Sequence, residues 1–343
     1  MAWRYSLVTH TDLDGVASAA ILLRVAGARL GGDARLEFTE PYRLHKSLKS
    51  VVGSVSPGEA ILIADLGPNP STFADVEALL RRAVERGARV AWFDHHRWEA
   101  EWVERLRRLG VRLYVEHDTC AAGVVARHAA EVLGGEVDGY VEELARATCA
   151  ADIWLWDHPA APKLYRVVDW RRGRAGDKWR RRLVEKFAAA KSLGEVLGDE
   201  EVQRALMEYV DAELRNYSRA VRYVEIVEVD GCRAVVALKR SGPPSRSFLA
   251  RTLAARYGAD LVAIIHRRGI SLRSESVNVR ELAKYLGGGG HLRAAGAPLS
   301  MPLLWRIAAL LYPKLRLRWA ARRIREALEA VGCQRLPAEA RVD

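Results

Sequence analysis

The sequence predicts an α/β protein in which a mainly parallel sheet, with helices on both faces, precedes a smaller α/β domain. Three observations carry that expectation. From Tyr5 to Leu133, short apolar runs alternate with amphipathic helical patterns, the signature of strands joined by crossover helices. Motifs rich in Asp and His stand directly after three of those runs, where ligands gather in parallel sheets. A second alternation begins near Ala220, beyond a basic stretch.

Taken in order, the first strand is read at Tyr5–Thr9 and is followed by a helix over Gly15–Ala28. Further strands fall at Arg35–Thr39, Ala60–Ala64, Arg89–Phe93 and Val111–Tyr114, separated by helices at Thr72–Glu85, Glu99–Leu109 and Ala121–Leu133. The texture then changes. Arg166–Arg182 holds eight basic residues against two acidic ones, with Trp170 and Trp179 among them, a pattern suited either to tracking a phosphate backbone or to a solvated helix face. A helix near Asp199–Arg215 reads as a connector. Strands at Ala220–Val229, Arg233–Leu238, Asp260–His266 and Ile270–Arg273, with a helix over Ser247–Tyr257, make the second domain. Two basic helices close the chain, Pro302–Leu311 and Lys314–Val331. In the latter, Leu317, Ala321, Ile324, Leu328 and Val331 form a stripe suited to core or dimer packing. The expected division is 1–165, a basic helical connector over 166–217, and 218–343.

Composition narrows the class. Half of the 343 residues are apolar, enough to bury a core in each domain. No run approaches the roughly 18 apolar residues of a membrane helix, and the first residues read as a strand and not as a signal peptide. A cytoplasmic protein without a membrane partner is expected. The four cysteines, at 120, 149, 232 and 333, include no CxxC pair, so unpaired thiols are expected and neither a zinc ribbon nor a disulfide framework. Three asparagines and two glutamines in the whole chain suit a thermophilic source. The formal net charge of +11, carried mostly by arginine, favours a polyanionic partner.

Four motifs carry chemistry. His10-Thr11-Asp12-Leu13-Asp14-Gly15 follows the first strand and offers two carboxylates that can point at different cations. Asp65 ends the run Ile61–Ala64, Asp94-His95-His96 ends Val90–Phe93, and Asp152 ends a helical pattern. Each has an ordinary explanation taken singly: Asp12 or Asp14 as a helix N-cap, Asp65 as a turn residue, a strand-end histidine as structure. Their joint occurrence favours a site. Mixed oxygen and imidazole donors suit Mn²⁺ or a similar divalent ion.

This set resembles the DHH phosphoesterase superfamily, RecJ-like and nano-RNase-like. The second half is similar to that family's associated C-terminal domain through Ser271-Leu272-Arg273-Ser274, Val279–Ala283, Gly287–Gly290 with His291, and Ala294-Ala295-Gly296. The resemblance implies a hydrolase with an active site in a cleft between the domains and two divalent cations, Mn²⁺ in preference to Mg²⁺. His10 and Asp12 would hold one cation, Asp14, His95 and Asp152 the other, and Asp65 would bridge them. Asp94 would orient a ligand histidine, and His96 would contact the substrate phosphate. Arg273, Ser274, Gly288, Gly289, Gly290 and His291 would bind substrate, the glycine amides cradling an anion. One departure is the gap of two between His10 and Asp12, where some relatives have four. The implied substrates are short single-stranded RNA or DNA, or nucleotides. A phosphatase for pAp, a cyclic-dinucleotide phosphodiesterase, and an inactive replication scaffold on the same fold are the alternatives. Proteins of DNA repair or replication and a second copy of the chain stay open as partners.

Overall fold

The computed structural model describes residues 3–153, 155–239, 241–266 and 269–337. The chain divides into two compact units, Met1–Met207 and Glu208–Asp343.

The first unit runs β1 (Tyr5–Thr9), α1 (Leu13–Ala26), β2 (Ala34–Phe38), α2 (Leu44–Gly53), β3 (Ala60–Ala64), α3 (Phe73–Glu85), β4 (Arg89–Asp94), α4 (Ala100–Arg108), β5 (Arg112–Val115), α5 (Ala121–Leu133), α6 (Gly139–Asp152), α7 (Ala161–Val168), α8 (Gly173–Ala189) and α9 (Leu193–Gly198). Its five strands are all parallel, in the order β2-β1-β3-β4-β5. From β1 the chain steps outward to β2, then returns to β3 on the other side. That reversal opens a crevice at the carboxyl ends of β1 and β3.

Both sheet faces are covered, so the central strands are apolar nearly throughout. Leu7, Leu62, Ala91 and Phe93 pack against α1 and α5–α8, while Val8, Ile61, Ile63 and Trp92 pack against α2–α4. Helix α1 is buried from Leu13 to Leu23, which is why it shows no clean polar face. It starts on Asp12, whose Oδ1 accepts from the Gly15 amide at 3.2 Å, and stops at Gly27 in the left-handed region (φ 60°).

The second unit takes the end of α10 (Glu200–Val221), then β6 (Val224–Val229), β7 (Cys232–Leu238), α11 (Arg246–Tyr257), β8 (Leu261–His266), β9 (Gly269–Arg273), α12 (Val279–Tyr285), β10 (Gly289–Gly290), β11 (Ala294–Ala297), α13 (Leu303–Leu311) and α14 (Pro313–Val331). Its mixed sheet has the order β10-β11-β9-β8-β7-β6, with β7 and β8 the parallel pair. One face packs on α12 and α14, the other on α11 and Ala220. Of the C-terminal stripe, Leu317, Ile324 and Leu328 are core.

Several expectations need correction. The run 220–229 is not all strand: α10 continues to Val221, because Tyr217, Ala220 and Val221 pack on the sheet as a helical stripe. Helix α2 went unread, although Leu44, Leu48, Val51 and Val52 are buried at helical spacing. In the stretch expected to be a connector, Trp179, Leu183, Val184 and Phe187 belong to the core of the first unit. Trp179 is 1% exposed and donates to the Val167 carbonyl at 2.8 Å, so it cannot stack on a base. The cysteines are paired. Cys120 joins Cys149 with Cα atoms 5.0 Å apart, and Cys232 joins Cys333 at 5.8 Å. Wide spacing in sequence hid this, because α5 packs on α6, and α14 on β6 and β7.

Candidate active site

Three strand ends and one helix end meet at the crevice. His10 follows β1, Asp65 follows β3, His95 and His96 follow β4, and Asp152 ends α6. The first loop must pass very close to the first turn of α1: a Cβ at Gly15 would lie 2.3 Å from the His10 carbonyl oxygen. Glycine at that position is therefore steric necessity.

The motif residues gather into three overlapping groups, His10–Asp12–Asp65, Asp14–His95–Asp152 and Asp65–His95–His96, each with donor atoms within 4.8 Å of one another. His10 Nδ1 lies 2.9 Å from Asp12 Oδ2 and 3.4 Å from Asp65 Oδ2. His95 Nε2 lies 3.5 Å from Asp152, 3.6 Å from Asp65 and 3.9 Å from Asp14. Asp65 thus touches both histidines. It is 3% exposed, and among the described residues its Oδ2 has no well-formed hydrogen bond. Its φ of 57° is left-handed, a conformation that aspartate tolerates better than most residues.

Asp14 is fully buried, and its two oxygens accept from the Ala121 and Ala122 amides, both at 2.7 Å. The amino end of α5 therefore aims this carboxylate. Asp94, also buried, accepts from His96 Nδ1 at 2.8 Å and from Trp98 Nε1 at 2.6 Å. The histidine that Asp94 orients is His96, not His10 or His95. A Cβ at Gly67 would lie 3.1 Å from the His96 Cβ, so that glycine leaves room for the ring.

The electrostatics mark a site short of positive charge. Burial, then the charges of Asp65 and Asp152, push Asp14 well above the usual carboxylate range; burial and Asp12 do the same to Asp65. Burial followed by Asp12 pushes Asp152 up to about 6. Burial alone would depress His10, but Asp12, joined by Asp65 and Glu40, outweighs it and holds the imidazole far above its ordinary value. Burial alone would depress His96 too, but its bond to Asp94 and that carboxylate's charge raise it, which favours the cationic ring and suits an anion. Oxygen and imidazole donors, like-charge crowding and the poorly bonded Asp65 Oδ2 all fit divalent cations.

In the second unit, Arg273 ends β9, and its guanidinium donates to Ser247 Oγ at 3.0 Å and to the Leu272 carbonyl at 2.9 Å. The Ser274 hydroxyl donates to the Asp260 carbonyl and accepts from the Ser276 and Val277 amides. Its donor and both acceptor positions are thereby taken within the turn. The glycine run is part of a hairpin. Gly289 and Gly290 pair with Gly296 and Ala295, and His291 lies in the connection. A Cβ at Gly288 would lie 2.0 Å from the Gly296 oxygen, so close strand packing requires that glycine. The Gly287 and Gly288 amides donate back to the end of α12, at Lys284 and Ala283. An anion cradle would have to use the other amides.

Glu40, Gly67 and Trp98 were not anticipated. Glu40 had a legible signal, since it too stands past a strand end, but before Pro41 it reads as a turn residue.

No family model matches the chain. Its sequence is 21% identical over 314 residues to the oligoribonuclease NrnB of Bacillus subtilis (strain 168), spanning 86% of this chain and 73% of that one. Its fold is similar to the pGpG-specific phosphodiesterase PggH of Vibrio cholerae, with a TM-score of 0.57, 17% identity, and 91% and 98% of the two chains covered. It is also similar to exonuclease RecJ bound to manganese, with a TM-score of 0.53, 19% identity, and 96% and 92% covered. Its motifs, its sheet order and these likenesses agree: the chain resembles the DHH phosphoesterase superfamily, on its RecJ-like side.

Proposed function

We propose that the chain is a Mn²⁺-dependent phosphodiesterase that hydrolyses short single-stranded oligonucleotides. One observation carries the reading: Asp12, Asp14, Asp65 and Asp152 converge with His10 and His95 on one crevice, with Asp65 common to two donor groups. His10, Asp12 and Asp65 would hold one divalent cation, and Asp14, His95 and Asp152 the other, with Asp65 reaching both. Such a pair, when bound, would make an attacking water acidic and neutralise charge on the phosphoryl oxygens.

The chain's own groups do the rest. Asp94 fixes the His96 ring, leaving its Nε2 to donate to a phosphoryl oxygen. Arg273 and His291 are the proposed contacts to a further phosphate or the nucleotide body. The inactive-scaffold alternative is disfavoured, because every motif residue is present and seven of them share donor groups.

The relatives named for oligonucleotide substrates support the short-substrate reading over the pAp and cyclic-dinucleotide alternatives. The test is digestion of oligonucleotides labelled at either end, run beside a linear dinucleotide, pAp and a cyclic dinucleotide. Mn²⁺-dependent cleavage of the short linear substrates is expected, abolished by chelator and by Asp65→Asn. Full activity in excess chelator, or cleavage of pAp alone, would overturn the proposal.

A further inference from the structure

Glu40 belongs to none of the motifs, yet the sheet brings it to them. The parallel register sets Thr9 beside Phe38, and the Thr39 amide donates to the Thr9 carbonyl at 2.9 Å. Just past this pairing the chain carries His10 on one side and, two residues beyond Phe38, Glu40 on the other. Two atoms of the first motif meet the Glu40 carboxylate: His10 Nε2 lies 3.2 Å from Oε2, and Thr11 Oγ1 donates to Oε1 at 3.2 Å. The other His10 nitrogen, Nδ1, faces Asp12 and Asp65.

A histidine that donates one ring N–H to a carboxylate has its tautomer and ring plane fixed, with the second nitrogen left to ligate. We propose that Glu40 is the positioning residue of the first cation site, holding His10 so that it binds the ion through Nδ1. The inference rests on the two-cation reading above. It also accounts for the short spacing of His10 and Asp12. A histidine only two residues from its carboxylate partner presents the nearer ring nitrogen to the ion and turns the farther one to Glu40. As an ion pair, Glu40 contributes little to stability, because its side chain is 40% exposed. Its effect is orientation.

Calorimetric titration of Mn²⁺ into chelator-stripped protein tests this. The wild-type chain should take up two ions. Glu40→Ala should weaken one of them by about ten- to a hundredfold and leave the other unchanged. Glu40→Gln, whose amide oxygen still accepts from Nε2, should recover most of that loss. Because Glu40 acts through His10, the double variant His10→Ala/Glu40→Ala should bind no more weakly than His10→Ala alone. Melting temperatures of the stripped proteins should be alike. Should Glu40→Ala not fold, Thr11→Val removes only the hydroxyl that steadies Glu40 and must weaken the same ion. Two wild-type-like affinities in Glu40→Ala would overturn the inference alone, as would a double variant clearly weaker than His10→Ala. A wild-type chain that takes up fewer than two ions would instead overturn the two-cation reading.

Discussion

Asp65 combines a left-handed backbone with a buried charge, and neither is favourable by itself. Strain of this kind persists where the surrounding structure holds it in place, and it is common at functional sites. Its neighbours show the same tension through their protons. Asp152 is pushed up to about 6, so between the ordinary carboxylate range and that value the folded, metal-free chain binds more protons than the unfolded one. Stability from this group is therefore fully present at low pH and declines as pH rises through about 6. Melting curves of chelator-treated protein from pH 4 to 8 should show the decline in wild type, and Asp152→Asn should lack that component. Parallel profiles for the two proteins would refute it. Adding Mn²⁺ should stabilise most above pH 6, where no proton competes for the carboxylate.

At the scale of elements, the amino end of α5 works as a clamp on Asp14. Its first two amides hold the carboxylate, and its third residue is a glycine with no room for more: a Cβ at Gly123 would lie 2.0 Å from Thr119 Oγ1. Gly123→Ala should displace the start of α5, cost about 1–3 kcal/mol of stability, and lower turnover by misplacing Asp14. Thermal melts and rates check it; a variant of wild-type stability and rate would show that the loop yields freely. The elements were legible where apolar runs were short and flanked by turn residues, as at β1 and β3, whose bounds match the sequence reading to the residue. The strand-end motifs were legible for the same reason, since each stands at or just past the end of its strand. Contacts across the sheet were not. Nothing local to Glu40 says that it meets His10, and nothing local to Ala121 says that its amide meets Asp14. Trp179 misled for a related reason, because a tryptophan among arginines looks solvated until α8 is seen to turn it inward.

At the scale of the whole chain, two sheets of different construction are joined through one helix, α10. The parallel sheet carries the residues proposed to hold the cations, and the mixed sheet carries Arg273 and His291. The second sheet is also bounded in a way that the first is not. Cys232 opens β7 and Cys333 follows α14, 101 residues later, so the second unit from β7 through α14 is a closed covalent ring. In a ring, one cut opens the circle without parting it. A protease that cleaves once between these cysteines should leave a chain of unchanged mass on a gel run without reductant. The same sample should fall into two pieces once thiol is added. Release of a fragment by a single cut, with no reductant present, would mean that the ring is open.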